Sequence, residues 1–107
     1  MLTTEQAKTH CRIDADSTAE DDWFETTIKA AVMYVQKWTR RRLYEKADDP
    51  VYLTDPDALL YGEDIEMAML MLIAHWYANR EAASSGGLTE TPLAVEALLQ
   101  PYRIYGV

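Results

Sequence analysis

The sequence predicts an all-α fold: a small bundle of about four helices, two long and two short, with an irregular mid-chain stretch that has room for a short β-hairpin. Three observations predict it. The run Met67–Trp76 is apolar on every side of a helix. Phe24, Ile28, Ala31, Val35, Trp38 and Arg42 recur at alternating spacings of four and three. Two threonine- and serine-led capping signals open helices near the N-terminus.

In the first signal, Thr3 is the N-cap and Gln6 its reciprocal partner three residues on, which predicts a short helix from Thr4 to about Cys11. Leu2, Ala7 and Cys11 share its inner side. Cys11, the single cysteine, excludes an internal disulfide, fits a reducing compartment and reads as a small buried hydrophobe. The polar start has no signal-peptide pattern.

After an acidic break at Arg12–Asp16, Ser17-Thr18-Ala19-Glu20 forms the second signal, reinforced by Asp21 and Asp22. It opens a helix expected to run from Thr18 to about Leu43, roughly 35–40 Å long. That exceeds what the core of a 107-residue chain needs, so part of it is expected to touch something else. Arg40, Arg41 and Arg42 lie near its end. The helix dipole accounts for any one of them. Pairing with an acidic face of another subunit is the functional reading for at least one.

Glu45–Tyr61 carries turn signals at Asp48-Asp49-Pro50 and Thr54-Asp55-Pro56-Asp57. Val51-Tyr52-Leu53 reads equally as a strand paired with Leu59–Tyr61 or as plain loop. Its aspartates lack the glycine and terminal glutamate of a calcium loop and are read as turn formers.

The second long helix is expected over Asp64–Ala83, capped by Asp64. Glu66 and His75 close its apolar run well short of the ~18 residues that a membrane span requires. A helix apolar all round is then buried, and the chain should pack around it. Ser84-Ser85-Gly86-Gly87 ends it and begins a flexible loop to Thr91. Pro92 suits the first position of a last helix, Leu93–Gln100, whose apolar stripe is Leu93, Ala94, Ala97 and Leu98; Pro101 stops it. The apolar tail Tyr102–Val107 is expected to dock, on its own core or on a neighbour. The predicted core comprises Phe24, Ile28, Val35 and Trp38, then Met69, Leu72, Ile73 and Trp76, then Leu98.

The formal charge of −8, with 18 acids to 10 bases, opposes non-specific DNA binding. Apolar residues make up 49%, which excludes compositional disorder. There is no G-x-G-x-x-G, Walker loop, G-x-S-x-G or H-E-x-x-H. The two histidines, His10 and His75, are far apart in sequence and do not form a metal-ligand pattern. His75 reads as a core or interface histidine, with a catalytic base paired to a nearby acid as the weaker alternative. No catalytic residue, cofactor or metal is assigned.

The start MLTTEQAKTHCRID, the acidic opening Ser17–Asp22, the segment Leu72–Ala82 (LIAHWYANREA) and the segment Pro92–Arg103 (PLAVEALLQPYR) together resemble the head–tail connector proteins of long-tailed double-stranded DNA phages and prophages. The resemblance covers nearly the whole chain; the middle, Glu45–Gly62, matches only as a variable connection. It implies a structural virion subunit at the head–tail junction, assembled in the bacterial host cytoplasm, and no membrane partner. Such subunits form a homo-oligomeric ring, commonly of about a dozen copies, beneath the portal protein. The ring extends the DNA channel, lets DNA pass without specific binding, and carries the neck and tail-completion proteins. Asp21, Asp22 and Glu25 at one end of the long helix and Arg40, Arg41 and Arg42 at the other are the candidate interface residues. Tyr102, Arg103, Ile104 and Tyr105, with the Ser84–Thr91 loop, are the candidate portal and neck surface. The alternative is a nucleic-acid-binding DNA-packaging accessory protein.

Overall fold

The computed structural model describes residues 1–14, 16–79 and 92–104. The expected loop Ser84–Thr91, the helix extension beyond Asn79 and the tail residue Tyr105 lie outside them. Among the described residues there are five α-helices: α1 (Thr4–His10), α2 (Asp21–Thr39), α3 (Pro50–Thr54), α4 (Glu63–Ala78) and α5 (Leu93–Leu99). A 3-10 turn, Gln100–Tyr102, follows α5. Two short strands, β1 (Arg42–Tyr44) and β2 (Ala58–Leu60), complete the set. The chain is a small helical bundle with a minimal sheet in its mid-chain connection.

The Thr3 capping box forms: the Thr3 hydroxyl accepts from the Gln6 backbone N–H at 3.2 Å, and the Gln6 side chain accepts from the Thr3 N–H at 2.9 Å. Two orphan donors of α1 are thereby satisfied. The second capping signal does not form. Residues Ser17 to Glu20 make turns, with Ser17 N–H donating to Asp14 O at 3.0 Å and Asp21 N–H to Thr18 O at 3.3 Å. The reason lies in α1. Lys8 is buried, and its ammonium donates to Ser17 O at 2.8 Å and to Asp21 Oδ1 at 2.7 Å. A desolvated ammonium holds these two acceptors, and α2 begins at Asp21 instead of Thr18.

The far end of α2 is also shorter than the sequence suggests. Arg40 turns left-handed at φ 62°, and Thr39 Oγ1 bonds back to Val35 O at 2.6 Å. The side chain of Gln36 accepts from the Leu43 N–H at 2.9 Å, and the Ile104 N–H donates to Thr39 O at 2.9 Å. These contacts stop the helix, and Leu43 and Tyr44 are buried in β1 instead. The 19-residue α2 is therefore about 28 Å long.

The connection between β1 and β2 departs from a hairpin. Val51–Leu53 is helical, because Asp49 caps α3 by accepting from the Val51 N–H at 2.8 Å and Pro50 fills its first position. With a helix in the crossover, β1 and β2 pair in parallel, Leu43 against Leu59.

α4 is the centre of the bundle and packs against α1, α2 and α5. Ile65, Ala68, Met69, Leu72 and Ile73 are fully buried on one face. It is not buried all round: Met67 is 47% exposed, and Leu70, Met71, Trp76 and Tyr77 are partly buried. Gly62 is its N-cap in place of Asp64, which lies in the first turn, where one carboxylate oxygen accepts from the Ile65 N–H at 2.9 Å and the other from the Tyr102 hydroxyl. A ring cluster joins α4 to the start of α2: Tyr77 stacks on Phe24 at 5.6 Å between centroids and meets Trp23 edge-on at 5.4 Å. The Tyr77 hydroxyl donates to Glu20 Oε1 at 3.2 Å. α5 presents Val95 and Leu99 to the core, and Leu93 is 81% exposed, so its inner stripe is rotated from the expected one. Pro92 sits at the N-cap, one residue before the expected position. Of the predicted core, Phe24 and Val35 are fully buried beside the α4 residues, whereas Ile28, Trp38, Trp76 and Leu98 pack at its margin.

Leu72→Ala, which opens a cavity at this centre, is expected to lower unfolding free energy by about 3 kcal/mol in urea titration. Lys8→Ala is expected to cost about 2–4 kcal/mol in the same assay, since it strips the Asp21 and Ser17 acceptors of their donor. A loss below 1 kcal/mol would show that the pair does not hold α1 to α2.

Candidate functional site

The candidate interface residues lie at opposite ends of α2, and their surroundings differ. Asp21 is engaged within the chain by Lys8, with its side chain 33% exposed. Asp22 and Glu25 are exposed on the first turns of the helix. Exposed Asp14 and Asp16 continue the acidic surface in the preceding turn, where Asp14 Oδ1 accepts from the Asp16 N–H at 3.0 Å.

The three arginines separate at the other end. Arg41 Nε donates to Tyr102 O at 2.5 Å, which ties the C-terminal turn to the end of α2. Arg42 lies in β1 beside the Tyr44 phenol. That phenol is raised by burial first and then by Asp55, whose Oδ2 accepts its O–H at 3.0 Å; Arg42 opposes both effects. Arg40 lines an open groove of about 320 Å³, together with Tyr34, Lys37, Trp38 and Arg103. The Arg103 guanidinium sits over the Trp38 ring, 4.5 Å from its centroid. Such stacking orients the guanidinium.

The tail residues assigned to docking are partly held by the body of the same subunit. The Tyr102 hydroxyl donates to Asp64 Oδ2, and this hydrogen bond, then burial, raises the phenol above its ordinary range. The Ile104 N–H closes on Thr39 O. Tyr102, Arg103 and Ile104 are half-buried in consequence. They form part of a surface already folded against α2 and α4.

At His75, Nε2 is buried and makes no hydrogen bond among the described residues. Nδ1 is 3.5 Å from the amide nitrogen of Asn79, which donates to the His75 carbonyl at 2.8 Å. No described carboxylate bonds this ring. No cluster of three or more His, Cys, Asp or Glu side chains with metal-binding geometry occurs among the described residues. No helix among them is long and apolar enough to cross a membrane. The burial of Lys8 and the grouping of Lys37 and Arg103 with Arg40 escape a reading of the sequence. Both depend on contacts between residues distant in the chain.

Tyr102→Phe removes the hydroxyl that reaches Asp64. It is expected to cost about 1 kcal/mol and to speed amide exchange at Ile104. Unchanged exchange there would show that the tail is held by other means.

Comparison with known proteins places these features in context. The family model described as phage gp6-like head-tail connector protein matches residues 1–103. No curated protein and no solved structure matches the chain. The match spans the five helices, the two strands and the C-terminal turn of the described residues, and the family it defines is one of structural virion components. The chain belongs to the phage gp6-like head-tail connector family.

Proposed function

We propose that this protein is a ring-forming connector subunit of a tailed-phage virion. Copies close head to tail beneath the portal, about a dozen to a ring, extend the DNA channel and carry the neck and tail-completion proteins. Assembly takes place in the bacterial host cytoplasm.

The observation that carries this reading is the family match from the first residue to Arg103, on a chain whose long helix is acidic at its start and basic at its end. Head-to-tail closure requires two different faces that complement one another. Asp22 and Glu25 supply one, and the cations around Arg40 supply the other. Asp21, Arg41 and Arg42 act more indirectly, since each also holds its own subunit together. The net charge of −8 disfavours a tight grip on DNA and suits a lumen through which DNA slides. The surface around Tyr102, Arg103 and Ile104, with Tyr105 next in sequence, is the proposed portal or neck contact. A packaging accessory that binds nucleic acid directly predicts a salt-sensitive gel shift at modest ionic strength.

A phage lacking this gene is expected to accumulate filled heads that do not join tails, and the wild-type chain supplied in trans should restore joined particles in negative-stain images. Normal particles without the gene would refute the connector role. Truncation after Ile104, which keeps the bonds to Thr39 and Asp64, is expected to leave thermal unfolding within a few degrees of wild type while head completion fails. Full complementation by that variant would rule out the docking role of the tail.

A further inference from the structure

The two-stranded sheet leaves one side of β2 open. Tyr44 O accepts from the Tyr61 N–H at 2.7 Å, in a parallel register that sets Tyr44 beside Leu60. Backbone groups alternate in direction along a strand, so Leu59 and the Tyr61 N–H face β1, whereas Ala58 and Leu60 turn their polar groups outward. The fold closes the neighbouring edge positions itself. On β1 the Leu43 N–H is held by Gln36, and on β2 the Ala58 N–H donates to Asp55 O at 3.3 Å. The N–H and C=O of Leu60 have no hydrogen-bond partner among the described residues, and this residue is 38% exposed. Gly62, still extended before α4, continues the edge with no side chain in the way.

An exposed edge of this kind is a template for one more strand. Charge decides whose. Asp57 and Glu63, both exposed, stand at the two ends of the open stretch. Arg42, the cation of the sheet, is on β1, away from this side. If β2 paired antiparallel with β2 of a second copy about Leu60, Asp57 of each would come opposite Glu63 of the other, and facing like charges are destabilising. The same acids favour a strand with bases on either side of an apolar residue that packs beside Leu60. Resting on the connector reading above for the source of the strand, we propose that the open edge of β2 receives an extended basic segment of a neighbouring head or tail protein. That segment pairs with the backbone of Leu60 and Gly62 and adds a third strand to the sheet. The net charge of −8 attracts it from solution.

The test uses the full-length protein and a capped peptide about seven residues long, valine alternating with threonine between terminal lysines. Amide resonances are followed by NMR at low salt. In the free protein the Leu60 amide is expected to exchange with solvent fast and the Leu59 amide slowly. Peptide added to about 1 mM, enough to reveal a millimolar Kd, should shift the Leu60 and Gly62 amides and slow their exchange. A peptide of the same pattern with terminal glutamates should bind at least about tenfold more weakly. Leu60→Pro removes the outward N–H without touching the ladder to β1, so it should stay folded by circular dichroism and lose the peptide. The double variant Asp57→Lys with Glu63→Lys should reverse the preference between the two peptides, which tests the edge independently of Leu60→Pro.

No binding of the lysine peptide, equal binding of both peptides, full binding by Leu60→Pro or a preference unmoved by the double variant would each overturn the assignment. So would Leu60 shifts that grow with protein concentration alone, since the occupant would then be a second copy. In particles, Leu60→Pro supplied in trans should fail to join heads to tails where the wild-type chain succeeds. Complementation by that variant would show that no neighbour uses the edge. Failure of the wild-type chain itself would count against the connector role, and the peptide result would still decide whether the edge accepts a basic strand.

Discussion

One buried helical face organises this small protein. Ile65, Ala68, Met69, Leu72 and Ile73 are removed from water together, and α1, α2 and α5 each find their inner side against α4. Burying a large aliphatic side chain contributes roughly 1.5–3 kcal/mol, so these few residues supply much of the driving force for a domain of this size. The polar contacts then set position. Lys8 fixes where α2 begins, and Gln36, Thr39 and Ile104 fix where it ends. Apolar burial alone would not distinguish the observed start at Asp21 from one three residues earlier, because it has no direction.

Features governed by local chemistry were legible in the chain. Thr3 and Gln6 find each other within one turn, and the helical spacing of Phe24, Ala31 and Val35 marks their common buried face. Features governed by distant residues were not. Nothing near Arg40 announces that the Ile104 amide will take the Thr39 carbonyl, or that Gln36 will turn Leu43 into a strand. Asp49-Pro50 looks like a turn, yet the same two residues open a helix when the flanking segments pair in parallel. The orientation of α5 depends on the surface of α4. Val95 and Leu99 suit that surface, although the run Leu93, Ala94, Ala97 and Leu98 shows an equally good stripe on paper.

The same division applies to the candidate site. Charged residues stand out in a sequence, so both ends of α2 were visible as opposite in sign. Their partners were not. Asp21 belongs with Lys8, Arg41 with Tyr102 and Arg42 with Tyr44, and Arg40 lines a groove with Lys37 and Arg103. A run of three arginines thus serves three different surroundings, because the left-handed turn at Arg40 and the strand after it send successive side chains apart. The family assignment rests on the match from residue 1 to 103, which is independent of how these charges are distributed.

The backbone at Arg40 has a wider consequence. At φ 62° an ordinary side chain crowds the following carbonyl, and glycine there would relieve about 1–2 kcal/mol. The subunit keeps a side chain at a position where the backbone alone favours glycine. On the head-to-tail reading proposed above, backbone ease and cohesion of the assembly pull in opposite directions at this residue. Selection for backbone ease alone would favour glycine here, and would in the same step take one cation from the groove that it shares with Lys37 and Arg103.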